Sequence, residues 1–225
     1  MTQKIIICGF PHCGTSILKS IIGHIPDVEE IFYETDKINK KTDKKFILCK
    51  YPFTKKQFFE KEYENYIKIF IIRNPFFVFS SLNKRFNYKI PYDHSIEMYI
   101  NTIKKFIKRR NNNEKNIYTI RYEDMFDNNF QVLRTMFDDI GMKYENKIFN
   151  NTEYTNIIRP GLKINKKKPK NTNHNAYRTW QINQPLIFKN DILKIDLIET
   201  QKKKMINDDN ILKIYPNIND IMDKC

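Results

Sequence analysis

The stretch Ile5-Ile6-Ile7-Cys8-Gly9-Phe10-Pro11-His12-Cys13-Gly14-Thr15-Ser16-Ile17-Leu18 constrains this chain more than any other. Three β-branched residues and a cysteine predict a short buried strand. Gly9 and Gly14 bound a loop, and beyond it Ile17, Leu18, Ile21, Ile22 and Ile25 fall at i, i+1, i+4, i+5 and i+8. That spacing marks one face of a helix, which Pro26 stops. A strand that feeds a helix through a glycine loop aims backbone N–H groups and the helix's positive end at one point. The first expectation is therefore a phosphate-binding cradle.

The loop approaches the nucleotide-binding spacing Gly-x-x-x-x-Gly-Lys-[Ser/Thr], with Gly9 and Gly14 as its glycines. Thr15 and Ser16 follow Gly14 directly, so the lysine that would reach the β- and γ-phosphates is missing. An ATPase or nucleotide kinase of that kind is disfavoured.

The rest of the chain repeats the strand-then-helix pattern. Ile31-Phe32-Tyr33 reads as a short extended piece, and residues 36–45 as a charged surface loop. Phe46 to Lys50 reads as a strand, stopped by Tyr51-Pro52, and residues 54–65 carry Phe58, Phe59 and Tyr63 at helical spacing. Tyr66-Ile67-Lys68-Ile69-Phe70-Ile71-Ile72 is the most strand-like segment, and its near-continuous apolar character suits a strand covered on both faces. Asn74 and Pro75 supply an N-cap and a first helical residue. A long amphipathic helix is predicted from Ile96 to Ile107, a strand from Ile117 to Tyr122, and a helix from Phe130 to Ile140 that Gly141 ends. Alternation over residues 4–141 predicts an α/β fold of three layers, a mainly parallel sheet flanked by helices. The whole chain, 1–225, reads as one domain. Within it, residues 150–185 form an irregular basic segment that would serve as a flap over an anionic ligand, and residues 186–206 read as helical.

The chain carries 40 Lys and Arg against 26 Asp and Glu, a formal net charge of +14. That balance favours anionic partners without choosing among nucleotides, sulfated substrates, nucleic acid or anionic membranes. Cys8, Cys13, Cys49 and Cys225 have no metal-ligand spacing, and free thiols in a reducing compartment are expected. No apolar run approaches the about 20 residues of a membrane span, and no leader is evident. A soluble, intracellular protein is the expectation; the oligomeric state has no sequence signature.

Arg73-Asn74-Pro75 leaves the strongest strand, and Ser81 follows within the next helix. An arginine at a strand's end and a hydroxyl two turns into a helix can converge on one phosphate. These residues complete a family resemblance. Pro11-His12-Cys13-Gly14-Thr15-Ser16 resembles the Pro-[Lys/Arg]-Ser-Gly-Thr-[Thr/Ser] loop of sulfotransferases, with His12 in place of Lys or Arg and Cys13 in place of Ser. Arg73 to Ser81 resembles that family's Arg-x-Pro-…-Ser segment, and Tyr122-Glu123-Asp124-Met125 its Tyr-Glu-Asp-[Leu/Met] segment.

The resemblance implies the P-loop-like sulfotransferase fold and 3′-phosphoadenosine 5′-phosphosulfate (PAPS) as cofactor, released as PAP, with no metal. It implies that Pro11, His12, Cys13, Gly14, Thr15 and Ser16 cradle the 5′-phosphosulfate. Arg73 and Ser81 would hold the 3′-phosphate, and Tyr122 would lie near the adenine. Leu48 to Thr54 and the stretch His24-Ile25-Pro26-Asp27-Val28 with Glu34-Thr35 are similar to segments of protein-tyrosine sulfotransferases. This implies Glu34 as catalytic base, Lys50 at the departing oxygen and His12 as a third catalytic group. His94 is a remote alternative base.

Three functions follow as expectations. The first is sulfuryl transfer from PAPS to a hydroxyl or amine acceptor, on a glycan or related metabolite. The second is protein-tyrosine sulfation. The third, of another class, is a basic nucleic-acid-binding protein, disfavoured because no recognition module is evident.

Overall fold

The computed structural model describes residues 2–149 and 195–222. Five strands, β1 (Gln3–Gly9), β2 (Val28–Glu34), β3 (Phe46–Lys50), β4 (Tyr66–Ile72) and β5 (Ile117–Arg121), form a single sheet in the order β2-β3-β1-β4-β5. Every neighbouring pair is parallel. The helices are α1 (Thr15–Gly23), α2 (Pro75–Phe86), α3 (Ile96–Asn112), α4 (Gln131–Ile140), α5 (Glu199–Ile206), α6 (Asp209–Ile214) and α7 (Ile218–Met222).

Strand alternation sorts the core into two layers. Ile5 and Ile7 of β1, with Ile67, Ile69 and Ile71 of β4, face Leu18, Ile21 and Ile22 of α1 and Leu133, Met136 and Phe137 of α4. Ile6 and Cys8, with Phe70 and Ile72, belong to the opposite cluster with Phe76, Phe79 and Leu82 of α2. Tyr99, Ile103 and Phe106 of α3 and Met205, Ile211 and Ile214 of α5 and α6 complete that side. The three-layer α/β architecture is thus as the sequence predicts.

Three local expectations change. Residues 54–65 form two short 3₁₀ turns, Lys56–Phe59 and Lys61–Tyr63, because Glu60 is extended (φ −104°, ψ 171°) and breaks the run. The extended piece at 31–33 is part of a full strand, since main-chain pairing to β3 begins at Val28↔Phe46. In the described part of the predicted helix 186–206, the helix begins only at Glu199. The basic segment 150–185 lies outside the described residues.

β1 and β4 are neighbours, yet the chain leaves them in opposite directions, β1 toward β2 and β4 toward β5. Open α/β sheets bind ligands outside the carboxyl ends of strands at such a switch point. Both sequence-predicted phosphate sites start there. The two strands come very close: a Cβ on Gly9 would lie 2.1 Å from the Ile71 carbonyl oxygen, so only glycine fits.

Candidate active site

The loop after β1 is held at nearly every residue. Phe10 is buried edge-on against Tyr99, ring centroids 5.2 Å apart. The Cys13 N–H donates to the Phe10 carbonyl at 3.2 Å, and the Arg73 backbone N–H donates to the Cys13 thiol. Burial pushes that thiol up to about 12, so Cys13 is a packing group and not a nucleophile at neutral pH. Pro11 is buried beside it. His12 and Gly14 both take left-handed conformations, φ 66° and 92°. A Cβ on Gly14 would meet the Tyr122 ring at 2.4 Å, which excludes any other residue. Gly14 caps α1, and the helix's first turn, opening with Thr15 and Ser16, carries no acidic residue. The N-terminal dipole is therefore uncompensated by any side chain of that turn.

One wall of the site comes from the β2–β3 edge. Glu34 and Lys50 are register partners at the ends of these strands. Lys50 Nζ lies 3.0 Å from Glu34 Oε1 and donates to Ser16 Oγ at 2.6 Å. The Lys50 side chain is 4% exposed and that of Glu34 32%. A buried ammonium thus spans from a half-exposed carboxylate to the first turn of the cradle helix.

The other wall follows β4. The Arg73 guanidinium lies over the Tyr122 ring, 4.3 Å from its centroid, and 5.5 Å from that of Phe77. Tyr122 is buried, with Gly14 against its ring edge, so it is the packed layer beneath both the loop and the arginine. The backbone here is fixed from several sides. Tyr99 Oη donates to the Arg73 carbonyl at 2.5 Å, and the Asn74 N–H donates to Glu123 Oε1 at 2.8 Å. Asn74 Oδ1 in turn accepts the Phe76 N–H as N-cap of α2, with Pro75 next. Burial raises the Glu123 carboxyl above the usual range, and Tyr215 Oη is 3.4 Å from its second oxygen.

α2 presents two adjacent serines with different duties. Ser80 Oγ accepts the Asp196 N–H at 2.9 Å, and Asn83 Nδ2 donates to the Asp196 carbonyl and to Gln201 Oε1. These bonds dock the segment before α5. Ser81 instead turns to the loop, its Oγ 2.7 Å from His12 Nδ1. His12 Nε2 lies 3.2 Å from Arg85 Nη1, a residue that sequence reasoning missed. Its signal was its position, four residues after Ser81 and so on the same helix face.

The structure therefore brings His12, Ser81 and the loop together, and Glu34, Lys50 and Ser16 together. The Arg73 guanidinium stacks on Tyr122, whose ring edge lies against Gly14. His94 stands apart, its ring between Phe53 and Phe86 and its Nδ1 2.8 Å from Asp93. Among the described residues, no helix is long and apolar enough to cross a membrane.

No protein-family model matches the chain, and no curated protein matches it by sequence. Solved structures do. The mouse sulfotransferase SULT7A1, complexed with PAP, is similar with a TM-score of 0.57 at 14% identity, over 98% of this chain and 88% of that one. The sulfotransferase domain from the curacin biosynthetic pathway is similar with a TM-score of 0.51 at 12% identity, over 97% of this chain and 98% of that one. At such low identity the likeness speaks for the backbone, and the backbone of this chain has the sulfotransferase fold.

Proposed function

We propose that the chain is a PAPS-dependent sulfotransferase that acts on a hydroxyl or amine of a glycan or related metabolite. The observation that carries this reading is the position of Lys50, in contact with both Glu34 and Ser16. Sulfuryl transfer needs a base for the acceptor and a cation at the departing oxygen, held on one line with the phosphate cradle. Lys50 links these two requirements through one buried side chain.

The residues present fit PAPS. Gly14 opens α1 with no acidic residue in the first turn, which favours an anion there, and Arg73 and Ser81 flank the same loop. When bound, PAPS supplies a sulfuryl group joined to a good leaving phosphate. Glu34 accepts the acceptor's proton as the acceptor oxygen or nitrogen bonds to sulfur. With PAPS bound, transfer would break its sulfur–oxygen bond and leave the electron pair on the 5′-phosphate oxygen. Lys50, the Ser16 hydroxyl and the N–H groups at the start of α1 neutralise the charge that gathers there. His12 and Ser81 tie the cradle to α2, while Arg73 takes the 3′-phosphate with its fork of donors. Phe32 and Tyr33, 44% and 69% exposed, precede Glu34 and offer aromatic faces to an acceptor ring.

A thermal-shift screen against PAP, ATP with magnesium, GTP and short DNA tests the assignment. Selective stabilisation by PAP is expected. Stabilisation by ATP alone, or by DNA alone, would sink it. Labelled PAPS offered with oligosaccharides and with tyrosine peptides then separates glycan from tyrosine acceptors.

A further inference from the structure

β2 does not pair evenly with β3. Glu30 pairs with Leu48 and Glu34 with Lys50, so four steps along β2 cover two along β3, and β2 carries a bulge of two extra residues. Bulges bend a strand and re-aim its side chains. An even insertion preserves the alternation of faces, so Glu30, Phe32 and Glu34 belong to one face of β2. The contacts agree: Glu30 meets Lys19 of α1, and Glu34 meets Lys50, which bonds Ser16 of the same helix.

One side chain secures the bulge. Lys19 Nζ lies 3.2 Å from Glu30 Oε1, both side chains buried, and donates to the Phe32 carbonyl at 3.1 Å. Removing one partner of such a pair leaves a buried charge, so the pair holds its place. Lys19 therefore fixes the backbone at Phe32, two residues before the candidate base, while the Phe32 ring stays 44% exposed.

The charge around this bulge runs against the rest of the chain. From Ile25 to Asp36 there are five carboxylates and no lysine or arginine, in a chain of net charge +14. Lysines from elsewhere in the fold meet four of them: Lys40 at Glu29, Lys19 at Glu30, Lys50 at Glu34 and Lys55 at Asp36. Each of these cations is already engaged by a carboxylate, so an anionic acceptor gains little attraction here. What the bulge exposes between the pairs is aromatic, Phe32 and Tyr33.

We propose that the β2 bulge, latched by Lys19, is the acceptor shelf of this site and that it selects an uncharged ring. The ring carries a hydroxyl and an apolar face, as in a neutral sugar or a phenol; a polyanionic glycan is the wrong class. The proposal rests on the reading of Glu34 as the base of a sulfuryl-transfer site and deepens it by acceptor class. A ring packed on Phe32 stands two residues from Glu34 on the same strand face. Its hydroxyl can then reach the carboxylate while its CH groups bury against the aromatic ring. Phe32 touches the acceptor in this scheme, and Lys19 is a positioning residue that acts through the Phe32 carbonyl.

The test takes the full chain, titrates it with PAP by calorimetry, and follows maltotriose, 4-methylphenol and chondroitin sulfate on the PAP-bound chain by saturation-transfer NMR. Rates with labelled PAPS then give KM and kcat for the probe that binds. Saturation transfer is expected to maltotriose or to 4-methylphenol, which tells a sugar from a phenol, and not to chondroitin sulfate. KM for the neutral probe should not respond to added salt. Phe32→Ala should raise that KM about two- to tenfold, the scale of an aromatic contact, without moving PAP affinity. The double variant Lys19→Met/Glu30→Gln removes both buried charges together, which protects the fold. It should raise KM and lower kcat while PAP affinity holds, and Lys19→Arg, which keeps a donor for the Phe32 carbonyl, should hold both near wild type. A merely structural Lys19 would shift the melting temperature of the double variant and leave KM and kcat alone, which overturns the latch. Preference for chondroitin sulfate, no contact with either neutral probe, or a contact that Phe32→Ala leaves unchanged overturns the shelf, and PAP binding in the same samples spares the cradle. A wild-type chain that does not bind PAP overturns both.

Discussion

Lys50 Nζ stands 3.0 Å from Glu34 Oε1 where the ends of β2 and β3 pair residue to residue. The pairing is main-chain before it is ionic: the Thr35 N–H donates to the Lys50 carbonyl at 3.0 Å. Strand register therefore sets the distance between the candidate base and the candidate cation. Glu34→Gln should lower kcat by about 10²–10⁴-fold, the range of a lost general base, with PAP affinity unchanged. Full turnover in that variant removes Glu34 as the base. Lys50→Met, which keeps the buried stem, should lower kcat by about 10²–10³-fold.

Arg73 is the residue that the proposed function commits most directly to binding. Arg73→Ala removes a guanidinium stacked on Tyr122 and should weaken PAP by about 1.5–3 kcal/mol, the value of hydrogen bonds to a charged group. Calorimetry reads this directly. An unchanged dissociation constant would withdraw the 3′-phosphate assignment.

Gly14→Ala should destabilise the fold as well as the site. The left-handed φ of 92° costs a non-glycine residue about 1–3 kcal/mol, and the new methyl would meet a buried tyrosine ring. Gly9→Ala should be worse, because its methyl would be driven into the Ile71 carbonyl oxygen of the neighbouring strand. Urea unfolding of both variants gives the order, and a wild-type midpoint for Gly9→Ala would contradict the strand spacing.

Glu123 carries a pH signature. Burial raises its carboxyl in the folded state above the unfolded value, so the folded state holds the proton more tightly. The stability this contributes is fully present below the unfolded pKa, near 4.5, and is lost as pH rises through the raised folded value. Glu123→Gln removes that slope while keeping an acceptor for the Asn74 N–H. Its stability curve should therefore fall less than wild type between pH 4.5 and neutrality. Parallel curves from urea titrations at several pH values would disprove the assignment.

The sheet was legible because β1 and β4 are apolar runs buried on both faces, a pattern that short-range chemistry dictates. The loop after β1 and the start of α2 were legible because the glycines and the Arg73-Asn74-Pro75 corner act locally. β2 was read too short because Glu29 and Glu30 interrupt its apolar character, while its pairing to β3 comes from the main chain. Of the two neighbouring serines on α2, Ser80 accepts the Asp196 N–H and Ser81 lies against His12 of the loop. Arg85 escaped notice because its contact crosses 73 positions of sequence, and an arginine in a helix's last turn reads as an ordinary dipole partner. Glu123 was read only as a neighbour of Tyr122; its role depends on Asn74 and Tyr215, which no local pattern joins to it.

Between Phe10 and Gly14 the loop is secured by Tyr99, Cys13, Arg73, Ser81 and Tyr122 before any ligand arrives. Its ordering entropy is thus spent during folding, and an anion bound there as proposed would meet a finished mould. Such a mould speaks mainly through its main chain. The histidine and the cysteine that stand at positions 12 and 13 belong to that mould, the His12 ring against Ser81 and the buried Cys13 thiol against the Arg73 main chain.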